Sequence, residues 1–255
     1  MLYLPLLSPE KDTTPLQDYI ARHPERFTSD PKQAHAILVA GGDGFMLDTI
    51  KKYQSYKLPF VGINFWTVGF LMNTITNYEL LPDDITALDI VTENLPHITM
   101  TDAQGQTHTC NAINDVIIGK NIIDYFSFHV TTQSRSQIIK GSGLILTTPI
   151  GSTAYRLSNG WPIMQLDSNI RWLMGIATMP YHHQFIKPET ITIDIQGKQP
   201  ADVGVDGYSG LHTNITRLTI QKTDHQVQLG FIPGQNFHNK RLLIANEKLA
   251  NKAND

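Results

Sequence analysis

The chain has 255 residues, enough for one large domain or two smaller ones, and its 41% hydrophobic and 17% charged content is ordinary for a globular protein. Its formal net charge of −3 excludes a broad basic field that would bind nucleic acid or an anionic membrane. The single cysteine, Cys110, excludes an intrachain disulfide and suits a reducing compartment, so we expect a cytoplasmic protein.

The first ninety residues alternate between short apolar runs and segments with helical periodicity. The apolar N-terminus has no basic region and is interrupted by a proline, so it is predicted to be a first strand and not a signal peptide. Strands are also predicted over 36–40 and 59–63, with a helix from about 45 to 55 between them. This alternation is typical of a parallel sheet with crossover helices. The segment 78–93 is predicted to be a helix interrupted by Pro82.

From Pro96 onward the pattern changes to strands and turns. A hairpin is predicted around 103–105, and period-two alternation returns over 189–197 and 214–232. Apolar spacing after about residue 238 predicts an amphipathic helix. The predicted architecture is therefore a Rossmann-like α/β domain over 1–93 and a β-sandwich domain over 94–236, with a C-terminal helix over 237–255 that packs back on the first domain.

The turn after the strand at 36–40 combines three glycines with a carboxylate, in the sequence GGDG at 41–44. It lacks the Gly-Lys-Ser/Thr of a Walker loop and the last glycine of a dinucleotide fingerprint. Glycines allow close approach to a ligand and expose amides to anionic oxygens, while Asp43 could accept a proton or bind Mg²⁺. Transfer of phosphate to an alcohol needs both features. The alternative is a tight turn with a solvated Asp43.

A second stretch, 141–163, joins a predicted strand to a run of small hydroxyl residues. Ser152 and Thr153 could cap a short helix and bring its N-terminal amides to a ligand. Tyr155 could stack on a base or a ribose. The alternative is a capped loop inside the β domain.

Together these stretches resemble the NAD kinase family, which phosphorylates the 2′-hydroxyl of the adenosine ribose of NAD. The resemblance extends from about residue 36 to the tail, with the motifs in the family's order and spacing. The matching motifs are GGDG (41–44), GINFWTVGFL (62–71), NAINDVII (111–118), TTPIGSTAYRLS (147–158) and VDG (205–207).

The resemblance implies roles for individual residues. It makes Asp43 the general base, places Asn64 and Phe70 in the adenosine pocket, and assigns contacts with the dinucleotide's ribose to Asn114 and Asp115. Ordinary core packing is the alternative for Phe70, as it is for Ala154, and a hairpin turn is the alternative for the Asn114–Asp115 pair. The remaining positions implied to bind nucleotide are Gly42, Gly44, Lys140, Ser142, Thr153, Ala154, Tyr155 and Ser158.

Several positions depart from the family's pattern around this site. Trp66 and Trp161 stand where the family has glycine. Ser142 stands where the family has aspartate, so the resemblance implies that a carboxylate acceptor for the nicotinamide end is missing, which would weaken discrimination there. Ile150 and Tyr208 are further departures. An indole buries about 150–250 Å², so the two tryptophans are expected to reshape the pocket. Because the aspartate of GGDG is kept, the departures concern the identity of the acceptor more than the class of reaction.

The resemblance implies phosphate transfer from ATP, or from polyphosphate, with Mg²⁺, to the 2′-hydroxyl of NAD. Two alternatives stay open: the same fold with another acceptor, such as NADH or another adenosine compound, and a non-catalytic dinucleotide sensor. A lipid kinase is disfavoured, because no apolar surface that faces a membrane is evident. The resemblance also implies a homodimer or homotetramer. We expect no nucleic-acid partner, no membrane partner and no metal held by protein side chains alone.

Overall fold

The computed structural model describes residues 1–67, 69–121, 123–153, 163–207 and 210–235, together with 242, 243 and 246. The chain divides into two units, one of Met1–Glu93 with Gln226–Asp255 and one of Asn94–His225. Within the described ranges, no helix has the length and apolar character needed to cross a membrane. The helix predicted over 237–255 falls almost entirely outside the described residues.

The first unit is built on a parallel sheet. Strand β1 pairs with β2, β2 pairs with β3, and Leu229 near the end of the chain pairs with Phe60, all in parallel. Every residue of β2 is buried, as expected for a central strand covered on both faces. The predicted strands and the helix between them are confirmed. The elements are β1 (Tyr3–Leu7), α1 (Thr14–Arg22), β2 (Ala36–Gly41), α2 (Asp43–Tyr53) and β3 (Phe60–Asn64).

The helix predicted over 78–93 is wrong. The structure has two short 3-10 turns there, followed by the start of a long strand. The side chains of Asn77 and Asp84 accept hydrogen bonds from the amides of Glu79 and Thr86, and each bond caps one turn. Pro82 lies between the turns and has no amide to donate. Local capping therefore divides a stretch whose apolar spacing resembles that of one helix.

The second unit is an antiparallel β-sandwich, as predicted. One run of paired strands has the order β13-β6-β9-β10-β11, and the other connects β14, β12, β7 and β8. Strand β4 begins, and β14 ends, in the first unit. The strands are β4 (Asp89–Asp102), β5 (Thr107–Asn111), β6 (Asp115–Gly119), β7 (Phe126–Thr131), β8 (Ser136–Gly141), β9 (Gly143–Thr147), β10 (Arg171–Ile176), β11 (His183–Ile186), β12 (Ile191–Gln196), β13 (Ala201–Val205) and β14 (Leu211–Phe231).

The core of the sandwich follows the period of two that the sequence shows. Phe126, Phe128 and Val130 alternate along β7 and are all buried in one cluster. The hairpin predicted between β4 and β5 is confirmed. The amide of Asp102 donates to the carbonyl of Gln106 at 3.0 Å, and Gly105 adopts a φ of 82° in the turn.

Candidate functional site

The GGDG motif occupies the junction between β2 and α2. Gly41, the last residue of β2, pairs with Asn64, the last residue of β3, and the amide of Phe65 donates to the Gly41 carbonyl at 2.8 Å. Helix α2 begins at Asp43, immediately after the glycines. The carboxyl ends of parallel strands are where open α/β sheets bind ligands. The turn therefore lies at the edge of the sheet that is suited to a ligand.

The carboxylate of Asp43 is held by two backbone amides from a distant part of the chain. Its Oδ2 accepts from the amide of Phe70 and its Oδ1 from the amide of Leu71, both at 2.9 Å. These bonds bring the 62–71 motif to the GGDG turn and give Asp43 a structural role that the sequence does not reveal. The role of general base stays a prediction.

The glycines of the turn differ in their surroundings. A Cβ at Gly42 would lie 3.3 Å from the Cβ of Trp66, whereas a Cβ at Gly44 would meet nothing within 4 Å. Gly44 is exposed, so the space beside Asp43 is open on this side. Trp66 is 52% exposed, and the Nζ of Lys11 lies 3.0 Å from the centroid of its ring. Sequence reasoning assigned no role to Lys11, which lies far from the turn in the chain.

The two residues predicted to form the adenosine pocket both adjoin this turn. The Oδ1 of Asn64 accepts from the amide of Trp66 at 3.1 Å, which fixes the chain as it leaves β3. The side chain of Phe70 is 5% exposed, and its amide donates to Asp43. Burial of Phe70 is what core packing would give, so its contact with adenosine stays a prediction.

In the second unit, the 111–118 and 147–158 motifs meet at one end of β6 and β9. Asp115 pairs with Thr147. The carbonyl of Asn114 accepts from the amide of Thr148 at 2.8 Å and from the Oγ1 of Thr147 at 3.1 Å. A Cβ at Gly151 would lie 2.1 Å from that same carbonyl oxygen, which requires glycine there. The backbone of Asn114 is therefore closely packed on this side.

The VDG motif contacts the same loop from its amide side. The carboxylate of Asp206 accepts from the amides of Ile113 at 2.9 Å and Asn114 at 2.6 Å. The side chain of Asp115 is 4% exposed. Sequence reasoning recorded the VDG motif but assigned no role to Asp206, although an Asp-Gly pair directly after a strand is a signal of a specialised turn.

Thr153 is also placed in this unit, in a 3-10 turn over Ile150–Thr153. It is 8% exposed, and its hydroxyl donates to the Ile150 carbonyl at 3.4 Å. The hydroxyl of Ser152 donates to Pro149 at 2.7 Å and accepts from Met164 at 3.1 Å, so it holds the turn together. The helix that these residues were predicted to cap lies outside the described residues, as do Ala154, Tyr155, Ser158, Trp161 and Tyr208.

Lys140 and Ser142 are not brought beside Asn114 within the chain. The register of β6 and β9 runs from Asp115–Thr147 to Gly119–Gly143, and Ser142 lies beyond the second pair. The two ends are four residue steps of strand apart, about 13 Å. The amide of Ser142 donates to the Ile176 carbonyl at 2.9 Å, and Lys140 is exposed on β8.

Comparisons with known proteins place these motifs in a family. No family model matches the chain. It is 34% identical over 209 residues to the NAD kinase of Rickettsia felis, covering 78% of this chain and 81% of the relative. The NAD kinase of Rickettsia prowazekii is 32% identical with the same coverage.

Solved structures show the same fold. An NAD kinase from Archaeoglobus fulgidus in complex with ATP has a TM-score of 0.71 at 19% identity, covering 95% of this chain and 99% of that one. A yeast NADH kinase complexed with NADH has a TM-score of 0.77 at 14% identity, covering 95% of this chain and 86% of the other. Because relatives above 30% identity span most of both sequences, the chain belongs to the NAD kinase family.

Proposed function

We propose that this protein is an ATP-dependent NAD kinase, which transfers the γ-phosphoryl group of ATP to the 2′-hydroxyl of the adenosine ribose of NAD and forms NADP and ADP. Membership of the family supports this activity. The observation that carries it is the position of Asp43, which lies at the carboxyl ends of two parallel strands beside an open glycine. A fold-sharing NAD kinase binds ATP.

In the proposed reaction, the 2′-hydroxyl oxygen attacks the γ-phosphorus, the bond from that phosphorus to the β–γ bridging oxygen breaks, and Asp43 takes the hydroxyl proton. The amides of Phe70 and Leu71 fix the direction of the carboxylate before substrate binds. Little covalent chemistry falls to the protein, so orientation and electrostatics supply most of the rate.

We further propose Mg²⁺ as the companion of the triphosphate. Among the described residues, no three His, Cys, Asp or Glu side chains lie together as a metal site. Mg²⁺ does not require such a group, because it is commonly held by substrate phosphates with one or two carboxylates. Asp43 is the carboxylate at the turn that could contribute. Bound Mg²⁺ would neutralise negative charge on the transferring phosphates.

A second acceptor, NADH, is favoured by one observation, the neutral Ser142 where the family has aspartate. The fold-sharing yeast enzyme is an NADH kinase. A different observation favours a non-catalytic sensor. The carboxylate of Asp43 accepts from the amides of Phe70 and Leu71, and this structural role would require an aspartate there even in a protein without catalytic activity.

The test is product formation by the purified protein with Mg²⁺. NADP and NADPH are quantified by chromatography after incubation with NAD or NADH, with ATP or polyphosphate as donor. We expect NADP from NAD and ATP. If only NADH gives product, the acceptor is NADH and not NAD. If only polyphosphate gives product, the donor is polyphosphate and not ATP. If no pair of donor and acceptor gives product while the dinucleotides bind tightly, the protein is a non-catalytic dinucleotide sensor and not a kinase.

We also propose a cytoplasmic homo-oligomer, either a dimer or a tetramer. The support is a set of large apolar side chains on the second unit that are more than half exposed: Ile138, Met179, Tyr181 and Phe185. A second copy of the chain would cover such side chains. Light scattering coupled to size exclusion should give a mass of two or four chains, and Phe185→Glu should lower it. A monomeric mass for the wild type would contradict this proposal.

A further inference from the structure

Asp206 forms an unusually complete set of bonds with the loop that carries Asn114. Its Oδ1 accepts from the amides of Ile113 at 2.9 Å, Asn114 at 2.6 Å and Asp115 at 3.3 Å, and its Oδ2 lies 3.1 Å from the Ile113 amide. In return, the amide of Asp206 donates to the carbonyl of Asp115 at 3.0 Å. Asp206 adopts a φ of 51°, a conformation that a non-glycine residue rarely takes.

Three consecutive amides that point to one place form a concave site for an anion. Here the chain fills that site with its own carboxylate, from a residue 92 positions away from Asn114. Amide bonds to an ionised acceptor are stronger than bonds to a neutral one. The amides of 113–115 are therefore held in place by the charge of Asp206.

The opposite side of the loop is fixed independently. Thr147 and Thr148 donate to the Asn114 carbonyl. Gly151 packs directly against the same carbonyl, so the loop cannot move toward Gly151. All of these contacts use backbone atoms of Asn114. Its side-chain amide therefore takes no part in these contacts that hold the loop.

We propose that Asp206 is a positioning residue for recognition of the dinucleotide, which acts by fixing the Asn114–Asp115 pair and does not contact the ligand. The inference rests on the proposed function, because the ligand is the acceptor of that reaction. Asp206 carries the effect by its charge: asparagine has the same size, but its neutral oxygen accepts more weakly than the carboxylate Oδ1, and its NH₂ group would face the Ile113 amide from which Oδ2 now accepts.

The chain offers a matched control in the same unit. The Oδ1 of Asp102 accepts from the amides of Gln104 at 2.9 Å and Gln106 at 2.8 Å in the β4–β5 hairpin. Asp102→Asn therefore removes a carboxylate that braces a turn, but one in a hairpin to which no site residue belongs. A loss of function that comes only from general destabilisation would occur in both variants.

The experiment measures the dissociation constant of NAD by calorimetry, and kcat and KM for both substrates, in the wild type, Asp206→Asn, Asp102→Asn and Asn114→Ala. We expect Asp206→Asn to weaken NAD binding by about tenfold or more, with KM for ATP changed by less than about twofold. Asp102→Asn should lower the melting temperature without weakening NAD.

Wild-type NAD affinity in a folded Asp206→Asn variant would overturn the proposal, and so would equal loss of NAD affinity in both aspartate variants. Asn114→Ala distinguishes a failure of the proposed NAD site from a failure of the role inferred for Asp206. If it binds NAD normally, the proposed site fails together with this inference; if it binds weakly while Asp206→Asn binds normally, only the inference fails. If Asp206→Asn does not fold, hydrogen exchange of the ligand-free wild type tests the proposal instead. The amides of 113–115 should be protected from exchange before any ligand binds, because Asp206 already holds them. Rapid exchange of these amides would overturn the proposal.

Discussion

The ammonium group of Lys11 lies 3.0 Å from the centre of the Trp66 ring, in a cation–π contact beside the glycine turn that leads to Asp43. The Cβ of Trp66 lies against Gly42, and about half of the indole remains exposed. The pair therefore adds bulk and positive charge where the resemblance to the family implies a glycine.

Trp66 should report ligand binding by fluorescence. Saturating ATP or NAD is expected to quench or shift the emission of the wild type, because a ligand at the turn changes the solvation of a half-exposed indole. Trp66→Phe should remove much of that change. Trp172→Phe is the control, since Trp172 is 4% exposed. Equal ligand response in the wild type and Trp66→Phe would place Trp66 away from the ligand.

Gly44→Ala separates a structural glycine from one that a ligand requires. A Cβ at Gly44 meets nothing within 4 Å, and alanine favours a helix over glycine by about 1 kcal/mol. Stability against urea should therefore stay the same or rise, while kcat/KM should fall by about tenfold or more if substrate approaches this backbone closely. In Gly42→Ala, by contrast, the new Cβ would lie 3.3 Å from the Cβ of Trp66, so the tryptophan must shift slightly to accommodate it. Full activity of Gly44→Ala would mean that no ligand comes near the residue.

Ser142→Asp tests the sequence-based hypothesis that a lost carboxylate weakens discrimination at the nicotinamide end. A hydrogen bond to a charged group is worth about 1.5–3 kcal/mol, so the variant should bind NAD roughly ten- to a hundredfold more tightly. Ser142 lies at the far end of the β6–β9 pair from Asn114, so it would contact a different part of the ligand. Calorimetry that shows unchanged or weaker NAD binding would contradict the hypothesis.

Stability should fall as the pH is lowered through the histidine range. Burial lowers the pKa of His212, with a smaller contribution from His108, and burial also lowers the pKa of His182, with Arg135 and His183 contributing. Because these pKa values are lower in the folded state, the unfolded chain binds protons more readily, and stability present above about pH 6.5 is lost below it. The melting temperature should depend less on pH when His182 and His212 are both replaced by glutamine. An unchanged pH dependence in that variant would contradict this assignment.

The sequence predicts features that arise from neighbouring residues and misses those that need distant ones. The apolar run before GGDG is enough to predict β2, the turn and α2, because a buried strand and a glycine junction are local signals. The alternation over 214–232 predicts most of the 21-residue strand β14 but not its pairing, since its partners are spread over the chain.

The same limit applies to the candidate site. The motifs identify Asp43 and Asn114, but the donors to Asp43 are 27 and 28 residues away, and Asp206 is 92 residues from Asn114. No periodicity encodes such pairings. Spacing therefore identifies which residues belong to the site, whereas only the folded chain shows which of them hold the others in place.

Asp43→Asn is the decisive substitution, although it is not structurally neutral. Asparagine keeps one oxygen for the amide of Phe70 or Leu71 and sets an NH₂ group against the other. A moderate loss of stability is therefore expected, and the melting temperature and the dissociation constant of NAD must be measured beside the rate. General-base catalysis contributes about 10²–10⁴-fold, or about 3–5 kcal/mol of barrier. This effect belongs to the transition state, so NAD binding should change far less than turnover.

The most direct test is the rate of NADP formation at saturating NAD and ATP by folded Asp43→Asn protein, compared with the wild type. If Asp43 accepts the proton of the 2′-hydroxyl, turnover falls by at least about a hundredfold. If turnover stays within about tenfold of the wild type, Asp43 only braces the 62–71 segment, and the catalytic account is wrong.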